Sequence, residues 1–162
     1  MKKIGLLSDT HGYWDEKFKK YFAECDEIWH AGDIGSEDVI NNLQQIAEVR
    51  AVHGNIDNTV MRRLCPEVLQ FRVENIDVLM THVGGYPSRF ASSIVPRIIE
   101  FKPKLFICGH SHILKIMYDK SFAMLCLNPG ESQRYPRNGK RTLLRFVIDG
   151  ENIRDMEIIE LS

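Results

Sequence analysis

The sequence predicts an α/β fold in which two mixed sheets pack against each other and are flanked by helices. Short apolar runs without a helical period alternate with helical segments in the first third of the chain, which is typical of parallel strands. Later apolar runs are joined by tight polar turns, which is typical of antiparallel strands. The chain has 162 residues, of which 44% are hydrophobic, so we expect one domain, residues 1–162, with a sizeable core.

The first third of the chain contains three predicted strands and two predicted helices. The strands cover residues 4–7, 27–31 and 49–52, and the helices cover residues 14–23 and 36–47. In the second helix, Ser36 is a candidate N-cap, and Glu37 and Asp38 lie in the first turn, where carboxylates favour the helix dipole. This alternation of strand and helix predicts a parallel arrangement.

The remaining elements include several hairpins. Strands are predicted at residues 68–73, 76–81, 105–108, 113–118, 123–127, 141–148 and 153–160, and a helix is predicted at residues 90–101. Glu74-Asn75 and Asp149-Gly150 are tight connections of the hairpin type, and Pro96 is expected to kink or restart the helix. We expect the strands after residue 112 to be mostly antiparallel.

Charge and composition exclude some classes of partner. The net charge is -1 with acids and bases interspersed, so the chain lacks a general basic surface for nucleic acid or for an anionic membrane. The basic cluster Arg134, Arg137, Lys140 and Arg141 is interpreted as a solvated loop. No apolar run approaches the length of about 20 residues that spans a bilayer, and the N-terminus does not resemble a signal peptide. We therefore expect a cytoplasmic protein, with its four cysteines as buried free thiols.

Polar residues that can bind metal ions follow five of the predicted strands. These segments are Asp9-Thr10-His11, Gly32-Asp33, Gly54-Asn55, His82 and Gly109-His110-Ser111-His112. Ligand sites in α/β sheets gather at the carboxyl ends of strands, so these groups are expected to meet at one edge. On an extended chain, residues two apart point to the same side, which would bring Asp9 together with His11 and His110 together with His112. The glycines that precede Asp33, Asn55 and His110 would allow sharp turns and close approach.

Each segment taken alone also has a structural interpretation. Asp9 and His11 could be capping or solvated residues, Asp33 could fix a turn, and residues 55–58 could form an Asx turn. His82 could be a hydrogen-bonded histidine at a strand end, and His30 is expected to pack or hydrogen-bond near the rim. The Gly-His-Ser-His segment favours a ligand role, because two neighbouring buried imidazoles need a shared partner. The ordered combination of all five segments favours a metal site.

The same segments resemble the ordered signature of calcineurin-like metallophosphoesterases, and the match spans most of the chain. The short length, the Asn55-x-Asp57 block and Leu127-Asn128-Pro129-Gly130 most resemble the small YfcE-type phosphodiesterase branch. That branch is also similar to the metallophosphoesterase-like subunit of retromer. The resemblance implies a four-layer αββα sandwich, in agreement with the number of predicted strands.

The resemblance also implies a site with two divalent metal ions. One ion would be bound by Asp9, His11, Asp33 and His112, and the other by Asp33, Asn55, His82 and His110, with Asp33 as the bridge. Carboxylate, imidazole and amide oxygen suit manganese, which we expect most, or iron, zinc or nickel. A metal-bridging hydroxide would then attack phosphorus in line. Asn55 and His53 are candidate substrate contacts, with a solvent-facing side chain as the alternative for His53. Asp57 is a candidate catalytic residue that orients a ligand histidine, with capping of the next segment as the alternative.

One residue departs from the family pattern. Many members carry histidine after the asparagine of the third block, as a proton donor to the leaving group, and this chain has Ile56 there. We therefore expect a phosphodiesterase that is slow on esters with poor leaving groups. The alternatives are a phosphomonoesterase and a non-catalytic protein-binding scaffold similar to the retromer subunit. The expected partner is a small phosphodiester substrate, and a homo-oligomer is expected by resemblance only.

Overall fold

Ten strands and four helices make up residues 1–161, which is the part of the chain that the computed structural model describes. The strands are β1 (Lys2–Leu7), β2 (Glu27–His30), β3 (Glu48–Ala51), β4 (Val68–Val73), β5 (Ile76–Thr81), β6 (Leu105–Ile107), β7 (Lys115–Asp119), β8 (Met124–Asn128), β9 (Thr142–Asp149) and β10 (Asn152–Glu160). The helices are α1 (Lys17–Phe22), α2 (Glu37–Gln44), α3 (Thr59–Leu64) and α4 (Val95–Phe101). None of these helices is long and apolar enough to cross a lipid bilayer.

Both sheets in the described part of the chain are mixed and have five strands. The first has the order β10-β9-β1-β2-β3, in which β1, β2 and β3 pair in parallel, β9 pairs antiparallel with β1, and β10 pairs antiparallel with β9. The second has the order β4-β5-β6-β8-β7, with β5, β6 and β8 parallel and an antiparallel strand at each edge. Each sheet therefore brings the carboxyl ends of three parallel strands to one edge.

The two sheets enclose the main core and the helices cover their outer faces. Ile4, Trp29 and Phe146 of the first sheet are fully or almost fully buried in one cluster with Met80 and Ile107 of the second. Trp29 packs edge-on against Phe71 and Phe146, with ring centroids 5.1 and 5.8 Å apart, respectively.

Separate apolar clusters join each helix layer to its sheet. Phe18 of α1, Val39 of α2 and Met61 of α3 pack on the first sheet, and Ile98 of α4 packs on the second. The predicted four-layer αββα sandwich is confirmed.

The helices differ from the sequence prediction, most clearly α1, α3 and α4. Helix α1 is shorter than predicted, and α4 begins at Val95 with Pro96 in its first turn, where a missing N–H costs no hydrogen bond. Helix α3 was not indicated by the sequence pattern, and the Asn58 side chain caps it by accepting a hydrogen bond from the Met61 N–H at 3.0 Å. The predicted cap of α2 is confirmed, because the Ser36 hydroxyl accepts from the Asp38 N–H.

Strand β8 differs in direction from what the later sequence suggested. It was placed among mostly antiparallel strands, but it pairs in parallel with β6, from Leu105 opposite Leu125 to Ile107 opposite Leu127. Its hairpin partner β7 takes the edge instead. The carboxyl end of β8 therefore joins those of β5 and β6 at the edge where the predicted ligands lie.

Candidate metal centre

The seven predicted ligands lie in the loops that follow the carboxyl ends of five strands, three from the first sheet and two from the second. Asp9 and His11 follow β1, Asp33 follows β2, Asn55 follows β3, His82 follows β5, and His110 and His112 follow β6. Asp9, Asp33 and His82 are at most 2% exposed, whereas Asn55 and His110 are open to solvent. Chain segments far apart in sequence thus form a half-open site.

Four of these residues form a compact group. Asp9, His11, Asp33 and His112 each offer one ligand atom, and these four atoms lie within 4.8 Å of one another. His112 Nε2 is 3.2 Å from Asp9 Oδ1, and His11 Nε2 is 3.7 Å from the same oxygen. This group coincides with the set that the family resemblance implied for one ion.

The other three predicted ligands lie beside this group. His82 Nε2 is 3.2 Å from Asp33 Oδ2, and His110 Nδ1 is 3.0 Å from Asn55 Oδ1. The rings of His82 and His110 pack edge-on, with centroids 5.3 Å apart. Asp33 Oδ2 also lies 3.6 Å from His11 Nε2, so this one oxygen faces a histidine of each set.

Several buried atoms at the centre have no hydrogen-bond partner in the described structure. Asp9 Oδ1, His11 Nε2 and His82 Nε2 are buried and unpaired. Unpaired polar groups are costly to bury, and carboxylate oxygens facing imidazole nitrogens are the donor set of a divalent transition metal. The residues present therefore fit a metal ion at this position.

Hydrogen bonds on the far side of two histidines orient their rings. His82 Nδ1 donates to the Ala31 carbonyl at 2.7 Å, which leaves the Nε2 lone pair directed at Asp33 and Asp9. His112 Nδ1 lies against the fully buried Glu131 carboxylate, and its Nε2 faces Asp9. Such outer contacts fix the tautomer of a ligand histidine and strengthen its basicity.

The charges at the centre favour a bound cation. Burial opposes ionisation of Asp33, but its contacts with His82 and the hydrogen bond from the Ile56 N–H hold the pKa of its carboxyl below the usual value. Burial likewise opposes protonation of His82, but Asp33 and Asp9 raise the pKa of its imidazole. The Asp33 carboxylate thus remains ionised and attracts either a proton on His82 or a metal cation.

The backbone at the ligands differs from the extended geometry that we expected. Asp9, His11, Asp33, His110 and His112 all have φ between 48° and 71°. This left-handed region is costly for residues other than glycine, and it concentrates at functional sites. Hydrogen bonds hold the strained segments together, including Asp9 N–H to the Gly32 carbonyl at 2.9 Å and His11 N–H to the Asp33 carbonyl at 3.0 Å. The prediction that the paired ligands lie on extended chain was wrong, although their side chains do reach the centre.

The three predicted close-approach glycines have the expected surroundings. A Cβ on Gly32 would lie 2.5 Å from His82 Nδ1, one on Gly54 would collide with the Asp33 carboxylate, and one on Gly109 would collide with the Ser8 hydroxyl. Each loop must therefore pass directly against another part of the centre, which only glycine allows.

Asp57 does not orient a ligand histidine. Its carboxylate accepts hydrogen bonds from the N–H groups of Gly54, Ile34 and Gly35 at 2.8 to 3.2 Å, so it ties the loop after β3 to the loop after β2. It does not cap α3 either, because Asn58 does so. Asp57 is a positioning residue for the two loops that carry Asp33 and Asn55.

His53 lines the cavity next to the centre, but its nitrogens are engaged by the protein. Nδ1 donates to the Cys65 carbonyl at 2.8 Å, so Nε2 can only accept, and Arg62 lies 3.4 Å from it.

His30 is fully buried and hydrogen-bonds Thr10 and the Gly32 N–H, as predicted. Arg141 was interpreted as a solvated residue and is in fact buried, where it binds Asp15 at 2.7 Å.

Glu131 is the functional residue that sequence reasoning missed. It follows β8, bonds His112, and is itself held by Gln133 and by the Asn138 N–H. The sequence pattern that indicates Glu131 is the same as for the other ligands, namely a polar residue shortly after an apolar strand. It went unnoticed because β8 was assigned to an antiparallel group.

The fold and the cluster of donors define a metal-binding α/β protein. The chain belongs to the calcineurin-like phosphoesterase superfamily, because the model of that superfamily domain matches residues 1–151. A probable metallophosphoesterase of Methanothermobacter thermautotrophicus is 31% identical over 163 aligned residues, which cover 96% of this chain and 91% of the relative. The predicted superfamily and its small branch are confirmed.

Solved structures show the same fold at lower sequence identity. A novel archaeal phosphodiesterase is 22% identical with a TM-score of 0.75, and the match covers 97% of this chain and 99% of the other. Wild-type Vps29 of Entamoeba histolytica, in complex with Zn²⁺, is 15% identical with a TM-score of 0.75 and 99% coverage of both chains. At these identities the likeness concerns the fold.

Proposed function

We propose that the protein is a metal-dependent phosphodiesterase. The observation that carries this proposal is the convergence of Asp9, His11, Asp33 and His112, whose ligand atoms lie within 4.8 Å of one another. Asp9 Oδ1 and His11 Nε2 in this group are buried without a hydrogen-bond partner among the described residues. Because the chain belongs to a phosphoesterase superfamily, we propose cleavage of a phosphate ester as the reaction. The likeness to an archaeal phosphodiesterase supports a diester over a monoester substrate.

Two divalent ions, most suitably manganese, are proposed for the centre, with iron, zinc or nickel as alternatives. Asp9, His11, Asp33 and His112 would hold one ion, and Asp33, Asn55, His82 and His110 would hold the other. When bound, such ions would supply positive charge to the phosphoryl oxygens and would lower the pKa of a water molecule. Asp33 Oδ2 suits the shared position, because it faces His11 and His82 together.

The protein's own residues would position the ligands and admit the substrate. The Ala31 carbonyl and Glu131 fix the rings of His82 and His112, so their Nε2 atoms point inward without rearrangement. A cavity of about 390 Å³, lined by Asn55 and His82 among others, opens at the centre and can admit a small diester. Because the histidine rings are already oriented before substrate binds, the site favours electrostatic stabilisation of a transition state.

Removing the shared carboxylate tests the proposal. Asp33→Asn replaces one charged oxygen of the ligand pair with an amide, and we expect loss of most hydrolysis of bis(p-nitrophenyl) phosphate. Bound manganese per chain should fall in the same variant, measured by elemental analysis after gel filtration. Asp38→Asn, which changes an exposed carboxylate in the first turn of α2 that is not a predicted ligand, is the matched control. A folded Asp33→Asn variant with normal turnover and metal content would disprove the assignment.

The same experiment separates the alternatives. No bound transition metal and no metal-stimulated hydrolysis in the wild-type protein would favour a protein-binding scaffold. A higher kcat/KM on p-nitrophenyl phosphate than on the diester would favour a phosphomonoesterase.

A further inference from the structure

The cavity beside the candidate centre carries charges that the proposed reaction does not use. Asn55 and His82 line it on the side of the centre, and its other walls include Arg62 and Arg97. Its volume of about 390 Å³ lies within the range of small-molecule sites. The cavity is therefore large enough for more of a substrate than the phosphoryl group.

Arg62 is held in place by neutral acceptors. Its Nε donates to the Asp57 carbonyl at 2.8 Å, and one terminal nitrogen lies 3.3 Å from the Asn55 carbonyl and 3.4 Å from that of Gly54. The other terminal nitrogen lies 3.4 Å from His53 Nε2, which can only accept because Nδ1 donates to the chain. In the described structure no carboxylate forms an ion pair with Arg62. Its positive charge is thus fixed at the cavity wall and is not neutralised by the protein.

Arg97 presents a second charge of the same kind. Its Nη1 donates a hydrogen bond to the neutral Gln70 side chain at 3.0 Å. By contrast, Arg50, Arg141 and Arg145 each bind a carboxylate at 2.7 Å. Glu67 also lines the cavity, yet among the described residues it forms no ion pair with either arginine. The cavity therefore has an excess of unpaired positive charge.

Apolar side chains lie between the charged parts of this cavity. Val68, Val83 and Ile94 contribute to the lining, and Val83 is 44% exposed. Apolar walls with a few fixed polar groups are typical of sites for small organic ligands. Guanidinium groups favour phosphate and carboxylate, because they present several N–H donors in a plane.

We infer that Arg62 and Arg97 form an anion-binding subsite, and that the natural substrate is a phosphodiester with a second anionic group. The inference rests on the proposed function for the reaction itself. A compact organic group joins the diester phosphorus at the metal centre to a phosphate or carboxylate that the two arginines bind. The subsite thereby selects diesters that carry a second negative charge over diesters of the same size that carry only the charge of the diester itself.

A matched pair of substrates tests the subsite. Thymidine 5′-(p-nitrophenyl phosphate) and its 3′-phosphorylated form share the leaving group and differ by one phosphate. The manganese-loaded wild-type protein should show a kcat/KM about tenfold or more higher for the 3′-phosphorylated ester. Replacing that phosphate by a carboxymethyl group distinguishes phosphate from carboxylate as the preferred anion. Equal kcat/KM values for the esters with and without the 3′-phosphate would overturn the inference.

Variants assign the preference to the arginines. Arg62→Gln and Arg97→Gln should each reduce the ratio of the two kcat/KM values several-fold, and Arg62→Lys should retain part of it. Arg63→Gln, on the neighbouring position of α3 and outside the cavity lining, should leave the ratio unchanged. Because Arg62 also contacts the Asn55 loop, Arg97→Gln gives an independent result if Arg62→Gln alters the fold. An unchanged ratio in folded Arg62→Gln and Arg97→Gln would contradict the assignment.

A binding measurement keeps the two proposals separate. If the wild-type protein hydrolyses neither ester, the proposed function fails, and the subsite is then tested by titrating inorganic pyrophosphate into chelator-treated protein. Weaker pyrophosphate binding in Arg62→Gln, but not in Arg63→Gln, supports the subsite. Equal binding by wild type, Arg62→Gln and Arg63→Gln overturns it.

Discussion

Ile56 leaves the candidate centre without an obvious proton donor. Its side chain is 47% exposed beside Asn55, and an aliphatic group cannot transfer a proton. The nearby His53 is already engaged by the protein, because its Nδ1 contacts the Cys65 carbonyl and its Nε2 faces the Arg62 guanidinium. Departure of the alcohol therefore depends on the stability of its anion.

We predict that turnover depends strongly on the leaving group. Across a series of aryl phosphodiesters, kcat/KM should fall steeply as the pKa of the leaving phenol rises, because Ile56 cannot protonate the departing oxygen. Ile56→His should flatten this dependence. A wild-type rate that does not vary with the pKa of the phenol would contradict the prediction.

His30 should make stability depend on pH. Burial lowers the pKa of its imidazole to about 4, whereas an unfolded histidine titrates near about 6.5. Between these values the unfolded state binds a proton that the folded state does not, so stability is present above about pH 6.5 and is lost as the pH falls towards about 4. The loss amounts to about 3 kcal/mol if the full shift applies.

Urea denaturation of chelator-treated protein measures this effect without interference from metal release. Between about pH 7 and about pH 4.5 the wild-type free energy of unfolding should fall more than that of His30→Gln, which has no imidazole to protonate. Parallel curves for the two proteins would show that His30 does not contribute.

At the scale of elements, α3 connects the centre to the adjacent cavity. It is only six residues long and carries Arg62, and Met61 is its buried residue. Short helices depend on their caps, since much of their hydrogen bonding lies at the ends. Asn58 is thus expected to determine whether this helix holds its position.

We predict that Asn58→Ala destabilises the protein by about 1 kcal/mol, because the Met61 N–H loses its acceptor. Asn58→Ser should restore most of the loss. Equilibrium urea denaturation measures both. The same stability in Asn58→Ala and in the wild-type protein would show that the cap is dispensable.

The apolar pattern predicted strands better than it predicted helices and loops. Strands β4 and β5 lie where predicted, because their apolar residues flank the polar Glu74-Asn75 connection that marks a hairpin. Helix α3 escaped detection because Val60 and Leu64 are each 52% exposed, so its apolar residues do not mark one buried face. The left-handed backbone at the ligands was also not foreseen, since it depends on loop contacts between distant segments. The cavity arginines were missed for the same reason, because Arg62 reaches the site only through α3.

At the scale of the whole molecule, bound metal should stabilise the fold. An ion that binds the folded chain and not the unfolded chain adds about 2.7 kcal/mol when its concentration is a hundred times its Kd. For a domain of this size we predict a rise in Tm of about 5 to 10 °C on adding manganese to chelator-treated protein. Differential scanning calorimetry measures the shift, which Asp33→Asn should reduce sharply. No shift in the wild-type protein would mean that manganese does not bind at the concentration used.

The ligands come from both sheets, and this affects the order in which the chain folds and binds metal. Asp9 and Asp33 extend from the first sheet, whereas His82 and His112 extend from the second. A half-assembled intermediate with only one sheet in place would hold a fraction of the donors and would capture an ion poorly. Metal binding would therefore follow the packing of the two sheets. The bound ion would then stabilise that packing, because it binds residues from both.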